Sequence, residues 1–129
     1  MIGLAVVLAI VTALLIFSHL KAKAFERAYP PRGRFVTTPQ GRLHLTRCDP
    51  QGQPAATIVL IHGASGNNAD VMAPLGDRLA ARGYQVLAVD RPGHGYSDRL
   101  RDNASTPAAQ ASAIRAALEA AGVTRAVVV

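Results

Sequence analysis

Thr57–Asn68 reads T-I-V-L-I-H-G-A-S-G-N-N and Tyr84–Asp98 reads Y-Q-V-L-A-V-D-R-P-G-H-G-Y-S-D, with a helix-like segment closed by Gly83 between them. Ile58–Ile61 and Val86–Val89 are apolar runs without alternation, the pattern of strands covered on both faces in a parallel sheet. The spacing predicts strand, glycine loop, helix, strand, glycine loop: one βαβ unit. In open α/β sheets ligands gather beyond the carboxyl ends of the strands, so residues 62–68 and 90–98 are expected to line the working edge.

Between those strands, Asn67, Asn68 and Asp70 are helix-start residues, with Pro74 expected in a first turn after a short preliminary one. Val71, Leu75 and Leu79 recur at helical spacing and predict the sheet-facing stripe, and Gly83 supplies the stop. Downstream, Ser105-Thr106-Pro107 reads as an N-cap followed by proline at the first helical position. The helix it opens carries Ala111, Ile114, Leu118 and Ala121 on one face and ends at Gly122. Arg125–Val129 then begins another buried strand. Upstream, Phe35–Thr38, a Pro39-Gln40-Gly41 turn and Arg42–Thr46 predict a β-hairpin. Leu43 and Leu45 alternate there with polar neighbours, so His44 is expected to point outward. Asp49–Ala56, rich in Pro, Gly and Gln, reads as a loop.

The first residues are not core material. Ile2–Leu20 has no Asp, Glu, Lys or Arg and is about as long as a helix that crosses a hydrocarbon core. It is read as a transmembrane anchor over residues 1–20. A secretory signal peptide is the alternative, with Ala22-Lys23-Ala24 as a faint cleavage-site mimic, although its basic leading region is missing. Residues 21–34 read as a basic juxtamembrane linker, stiffened by Pro30-Pro31 and Gly33. Lys21, Lys23, Arg27, Arg32 and Arg34 all follow the apolar run, and this bias favours a cytoplasmic globular part and a single pass.

Charge and cysteine narrow the classes further. Of the net +6 on 129 residues, the segment up to Phe35 contributes five basic side chains against Glu26, so the remainder is only mildly basic. A membrane surface fits this balance, and no nucleic-acid partner is expected. The lone cysteine, Cys48, excludes an intramolecular disulfide framework and a multi-cysteine zinc site.

The H-G-A-S-G after an apolar strand, followed downstream by D-R-P-G-H-G-Y-S-D, resembles the front half of an α/β-hydrolase fold. The resemblance covers residues 35–129 and implies an α/β fold: a leading β-hairpin plus parallel βαβ units, after the N-terminal transmembrane helix. It implies that the N–H of Ala64 is an oxyanion-hole donor, since in that family one such donor comes from this strand-to-helix loop. Gly63 then allows close backbone approach, and His62, Asp90, Gly93 and Gly95 shape the site loops, with Asp90 and Ser97 bonding loop backbone. It also implies a small, ester-like substrate, a covalent acyl intermediate on a serine, and no cofactor. Ala64 disfavours a dehalogenase, where an Asn commonly follows H-G.

Other chemistries fit the residues poorly. Gly93-x-Gly95 lacks the third glycine of a dinucleotide fingerprint. Asp90, His94 and Asp98 with His62 match no metal-ligand spacing, so no metal is expected. Ser65 lies outside any G-x-S-x-G context, and neither it nor His62 is read as a nucleophile. No G-x-S-x-G occurs in the 129 residues, and the histidines stand at 19, 44, 62 and 94. The expectation is a partial domain truncated before the nucleophile elbow, whose final strand lies beside the one ending at Ile61, inactive as the 129-residue chain. A non-catalytic membrane-tethered remnant or binding module is the alternative.

Overall fold

The computed structural model describes residues 2–100 and 106–129, in two units that divide between Pro31 and Arg32. The first unit is a single helix, α1 (Ile2–Ala28, 27 residues). Its span Gly3–Ala28 is long and apolar enough to cross a membrane, with mean hydropathy 2.4 over its most apolar window. Thr12 returns its hydroxyl to the Leu8 carbonyl at 2.8 Å, so the polar side chain inside the apolar run has a partner within its own helix. The helix does not stop at Leu20. Lys21–Ala28, expected as linker, continues it, because Ala22, Lys23, Ala24, Glu26 and Arg27 are all good helix formers and no Gly or Pro intervenes before Pro30.

The second unit holds β1 (Arg34–Thr38), β2 (Gly41–Cys48), β3 (Ala56–Ile61), α2 (Asn68–Ala80), β4 (Tyr84–Val89), α3 (Pro107–Ala120) and β5 (Val127–Val128). They form a five-stranded mixed sheet in the order β1-β2-β4-β3-β5. β1 pairs antiparallel with β2 and β2 with β4, while β3 pairs parallel with both β4 and β5. The βαβ unit expected from Thr57–Asp98 is therefore present, and the last strand does lie beside β3.

The helices cover opposite faces. On one, Val36, Leu43, Leu45, Val59, Leu87 and Val89 pack with Ala113, Ile114 and Ala117 of α3. On the other, Leu60, Val86 and Ala88 pack with Val71, Met72 and Leu79 of α2. Asn67 caps α2 reciprocally: its side chain accepts from Ala69 N–H, and Asp70 accepts from Asn67 N–H, each at 2.8 Å. Thr106 caps α3, with Pro107 in the first turn. Ser105 lies outside the described residues.

Three local expectations change. Pro74 sits inside α2, which runs from Asn68 without the preliminary break, and it is exposed. Leu75 faces solvent, because the buried side runs through Asn68, Gly76 and Ala80, with Met72 half-buried between them. In α3 the buried residues are Ala113, Ile114 and Ala117, and Ala111 is exposed. In both helices small residues mark the line of closest approach to the sheet, a feature that a count of large apolar side chains misses.

Candidate active site

β3 and β4 end side by side, so the loops that follow them meet at one edge of the sheet. Residues 62–66 follow β3 and residues 90–97 follow β4. Asp90 holds the two loops and the hairpin together. Its carboxylate accepts from Asn68 N–H at 2.7 Å, from Tyr96 N–H at 3.1 Å and from His44 Nδ1 at 2.8 Å. Ser97 reinforces the joint by donating to the Asp90 carbonyl at 2.6 Å and accepting from His44 N–H at 2.9 Å. Gly95 allows the closure: its φ is +51°, and a Cβ there would overlap the Asp90 carboxylate.

His44 is 1% exposed, which corrects the expectation that it points outward. The face of β2 that carries His44 is covered by Asn68 at the start of α2 and by Asp90 and Tyr96 of the second loop, and the Nδ1–H of His44 faces the Asp90 carboxylate. Its ring packs 5.1 Å from Phe35 and edge-on to Tyr96 at 5.4 Å. The alternation of Leu43 and Leu45 implied one covered face where the structure has two. The remaining sequence signal is a histidine held between two leucines in a short strand.

The loop after β3 is fixed through its carbonyls. His62 is buried; its Nε2 accepts from Arg91 N–H at 3.0 Å, which leaves the proton on Nδ1, 2.8 Å from the Gly63 oxygen. The same oxygen accepts from Arg91 Nη2 at 3.0 Å and from Gly66 N–H at 3.3 Å. Gly63 C=O and Ala64 N–H share one planar peptide, and no described peptide is cis. With the carbonyl tied back by three donors, the Ala64 N–H points the opposite way. No described residue accepts from it, and Ala64 is exposed. His94 Nε2 lies 3.0 Å from the Ala64 oxygen, which orients the next peptide in the same manner. Arg91 is the part of this arrangement that motif reading missed; its place directly before Pro92-Gly93 was the available signal.

The remaining site candidates serve separate ends. A Cβ on Gly63 would meet nothing within 4 Å among the described residues, so the demand for glycine falls on Gly95 instead. Gly93, with φ +78°, turns the second loop so that its N–H bonds Asp98 O at 3.0 Å. Asp98 pairs with Arg42 at 3.2 Å on the surface, and this neighbour raises the Arg42 pKa through a hydrogen bond and charge attraction. Among the described residues no three His, Cys, Asp or Glu side chains converge as metal ligands. Cys48 donates to Asp77 at 3.3 Å, and burial, then that hydrogen bond, then the Asp77 and Asp49 charges push its thiol pKa up.

A mixed sheet with helices on both faces, and two glycine loops meeting beyond its parallel strands, defines the class of α/β-fold proteins that work at the sheet edge. Residues 56–129 match the family model for the alpha/beta hydrolase fold, and the chain belongs to that family. It is 43% identical over 72 residues to a 2-hydroxy-6-oxononadienedioate/2-hydroxy-6-oxononatrienedioate hydrolase of Cupriavidus pinatubonensis, covering 50% of this chain and 24% of that protein. A CIB-like hydrolase from Thermoplasma acidophilum superposes with a TM-score of 0.65 at 28% identity, over 75% of this chain and 48% of the other. An epoxide hydrolase from an endophytic Streptomyces does so at 0.64 and 30%, over 74% and 28%. An N-acyl homoserine lactonase gives 0.63 and 28%, over 74% and 34%. The chain thus spans about a quarter of the curated relative and less than half of each of these structures.

Proposed function

We propose that these residues are the anchor and oxyanion half of a membrane-bound α/β-fold hydrolase that cleaves a small ester-type substrate through a nucleophilic serine supplied beyond residue 129. The observation that carries this reading is the backbone bond from Ile61 N–H to Val129 O at 2.8 Å. It sets the carboxyl end of the β5 segment against the start of the 62–66 loop, where a following turn can present a nucleophile to the Ala64 N–H. As the carbonyl carbon becomes tetrahedral, its oxygen gains charge, and a donor already aimed there stabilises it without reorganising. His62, Arg91 and Gly66 supply that aim by holding the Gly63 carbonyl. The relatives, which include an oxononadienedioate hydrolase and an N-acyl homoserine lactonase by name, support hydrolysis as the reaction class, while the fold alone leaves the substrate open. α1 supplies a single-pass anchor, and the basic residues after its apolar run favour a cytoplasmic site.

The test is fluorophosphonate labelling of the protein extracted from its native membranes, followed by peptide mapping. A labelled serine outside residues 1–129 supports the proposal. Labelling of Ser65, or ester turnover by the 129-residue chain that is abolished by changing Ser65 or His62, overturns it. Complete absence of labelling on the native protein favours the alternative, a non-catalytic membrane-tethered module.

A further inference from the structure

The carboxyl-terminal turns of α1 form a two-sided collar, and we propose that it binds the headgroups of anionic phospholipids in the leaflet on that side. This rests on the membrane reading of α1 and deepens it. Ile2–Leu20 rises about 28 Å as a helix, close to the roughly 30 Å of a hydrocarbon core. Because the helix continues to Ala28, the next eight residues rise about a further 12 Å, through the headgroup layer and slightly beyond it. A flexible linker would leave its charges at no defined depth; a continuous helix fixes them at the phosphates.

The collar has a basic side and an aromatic side, and Lys21 lies at the head of the aromatic one. Lys23 and Arg27, four residues apart, share one side of the helix, and Phe25 and Tyr29 share another, about 160° around. Phe25 and Tyr29 stack at 6.3 Å, and the Tyr29 N–H still bonds the Phe25 carbonyl at 2.8 Å, so the helical geometry persists through this pair. Lys21 lies over the Phe17 ring at 5.6 Å, at the boundary between the apolar run and the collar. Aromatic rings favour the membrane–water interface, and basic side chains favour phosphate oxygens beside it. Among the described residues neither Lys23 nor Arg27 forms an ion pair. Arg34 is excluded from the collar, because its guanidinium donates to the Ala121 carbonyl at 3.1 Å.

The chain contains no tryptophan, so Phe17→Trp creates a single reporter just inside the hydrocarbon edge, next to the collar. The 129-residue chain with this substitution is reconstituted into phosphatidylcholine vesicles that carry an equal minor fraction of brominated phosphatidylglycerol or brominated phosphatidylcholine, and quenching is compared. The expected result is about a fivefold preference for the anionic quencher, which is near 1 kcal/mol. The preference should fall towards unity in Lys21→Gln/Lys23→Gln/Arg27→Gln and persist in Lys21→Arg/Lys23→Arg, a variant that keeps the charge should the glutamine variant insert poorly. Equal quenching by both lipids overturns the collar and leaves the anchor intact. A preference that survives the glutamine substitutions also overturns it. Quenching by neither lipid overturns the anchor itself.

Discussion

Arg91 Nη2 donates to the Gly63 carbonyl at 3.0 Å, while the backbone N–H of the same arginine bonds His62 Nε2 at 3.0 Å. One residue after β4 thus grips the loop after β3 at two successive positions. Under the proposed function, Arg91→Met in the full-length protein should remove one of the donors that hold the Gly63–Ala64 peptide and leave the peptide itself in place. Loss of an oxyanion donor outright costs about a hundredfold or more in kcat, so partial misalignment is expected to cost roughly tenfold with KM little changed. Steady-state kinetics on an activated ester check it; an unchanged kcat would remove Arg91 from the positioning role.

The Asp90 carboxylate faces two backbone N–H groups and a buried imidazole. Asp90→Ala leaves all three without that acceptor inside the protein and is expected to destabilise the fold by about 3–5 kcal/mol. Arg42→Ala, at the exposed pair with Asp98, should leave stability close to that of the parent, because solvent screens the pair. Urea unfolding of the two variants of the purified protein gives the comparison, and equal effects would contradict it.

At Gly95 the cost is steric. Gly95→Ala must fit a methyl group against the Asp90 carboxylate at a positive φ, with an expected loss of about 3 kcal/mol. Gly63→Ala meets open space among the described residues and should cost under about 1 kcal/mol. Thermal midpoints measured side by side should separate the two, and Gly63→Ala emerging as the more damaging would reverse the assignment of where glycine is required.

Cys48 has a raised pKa, first from burial and then from Asp77. A raised folded-state pKa means less thiolate at a given pH. Alkylation by iodoacetamide near pH 8 is therefore expected to be slower than for an unstructured cysteine, and faster in Asp77→Asn than in the parent. The linked stability is fully present below the unfolded thiol pKa, about 8.5, and is lost as pH rises through the higher folded value. Alkylation faster than that of the unstructured thiol would show the sign to be wrong.

Arg32–Val129 carries β5 with Val127 59% and Val128 61% exposed, beside an apolar groove lined by Ile61, Ile114 and Leu118. Expressed alone, this unit is expected to associate and to bind ANS, because an uncovered apolar strand is a template for pairing. A monomer with a sharp, cooperative unfolding transition would contradict that.

What the sequence by itself determined were the features written in local chemistry. Unbroken apolar runs marked β3 and β4, caps at Asn67 and Thr106 marked the helix starts, Pro39-Gln40-Gly41 marked the hairpin turn, and the two glycine motifs marked the loops that meet beyond β3 and β4. Each depends on neighbours a few residues away, so the pattern survives in one dimension. Tertiary structure decided what depends on how many faces of an element are covered and by what. His44 became a buried partner of Asp90 because the face of β2 that carries it meets the N-terminus of α2 and the loop after β4. Leu75 and Ala111 turned to solvent because small residues let the helix backbones approach the sheet along a different line. The donors on the Gly63 carbonyl come from two loops separated by a helix and a strand, and only the parallel pairing of β3 with β4 brings Arg91 to that oxygen.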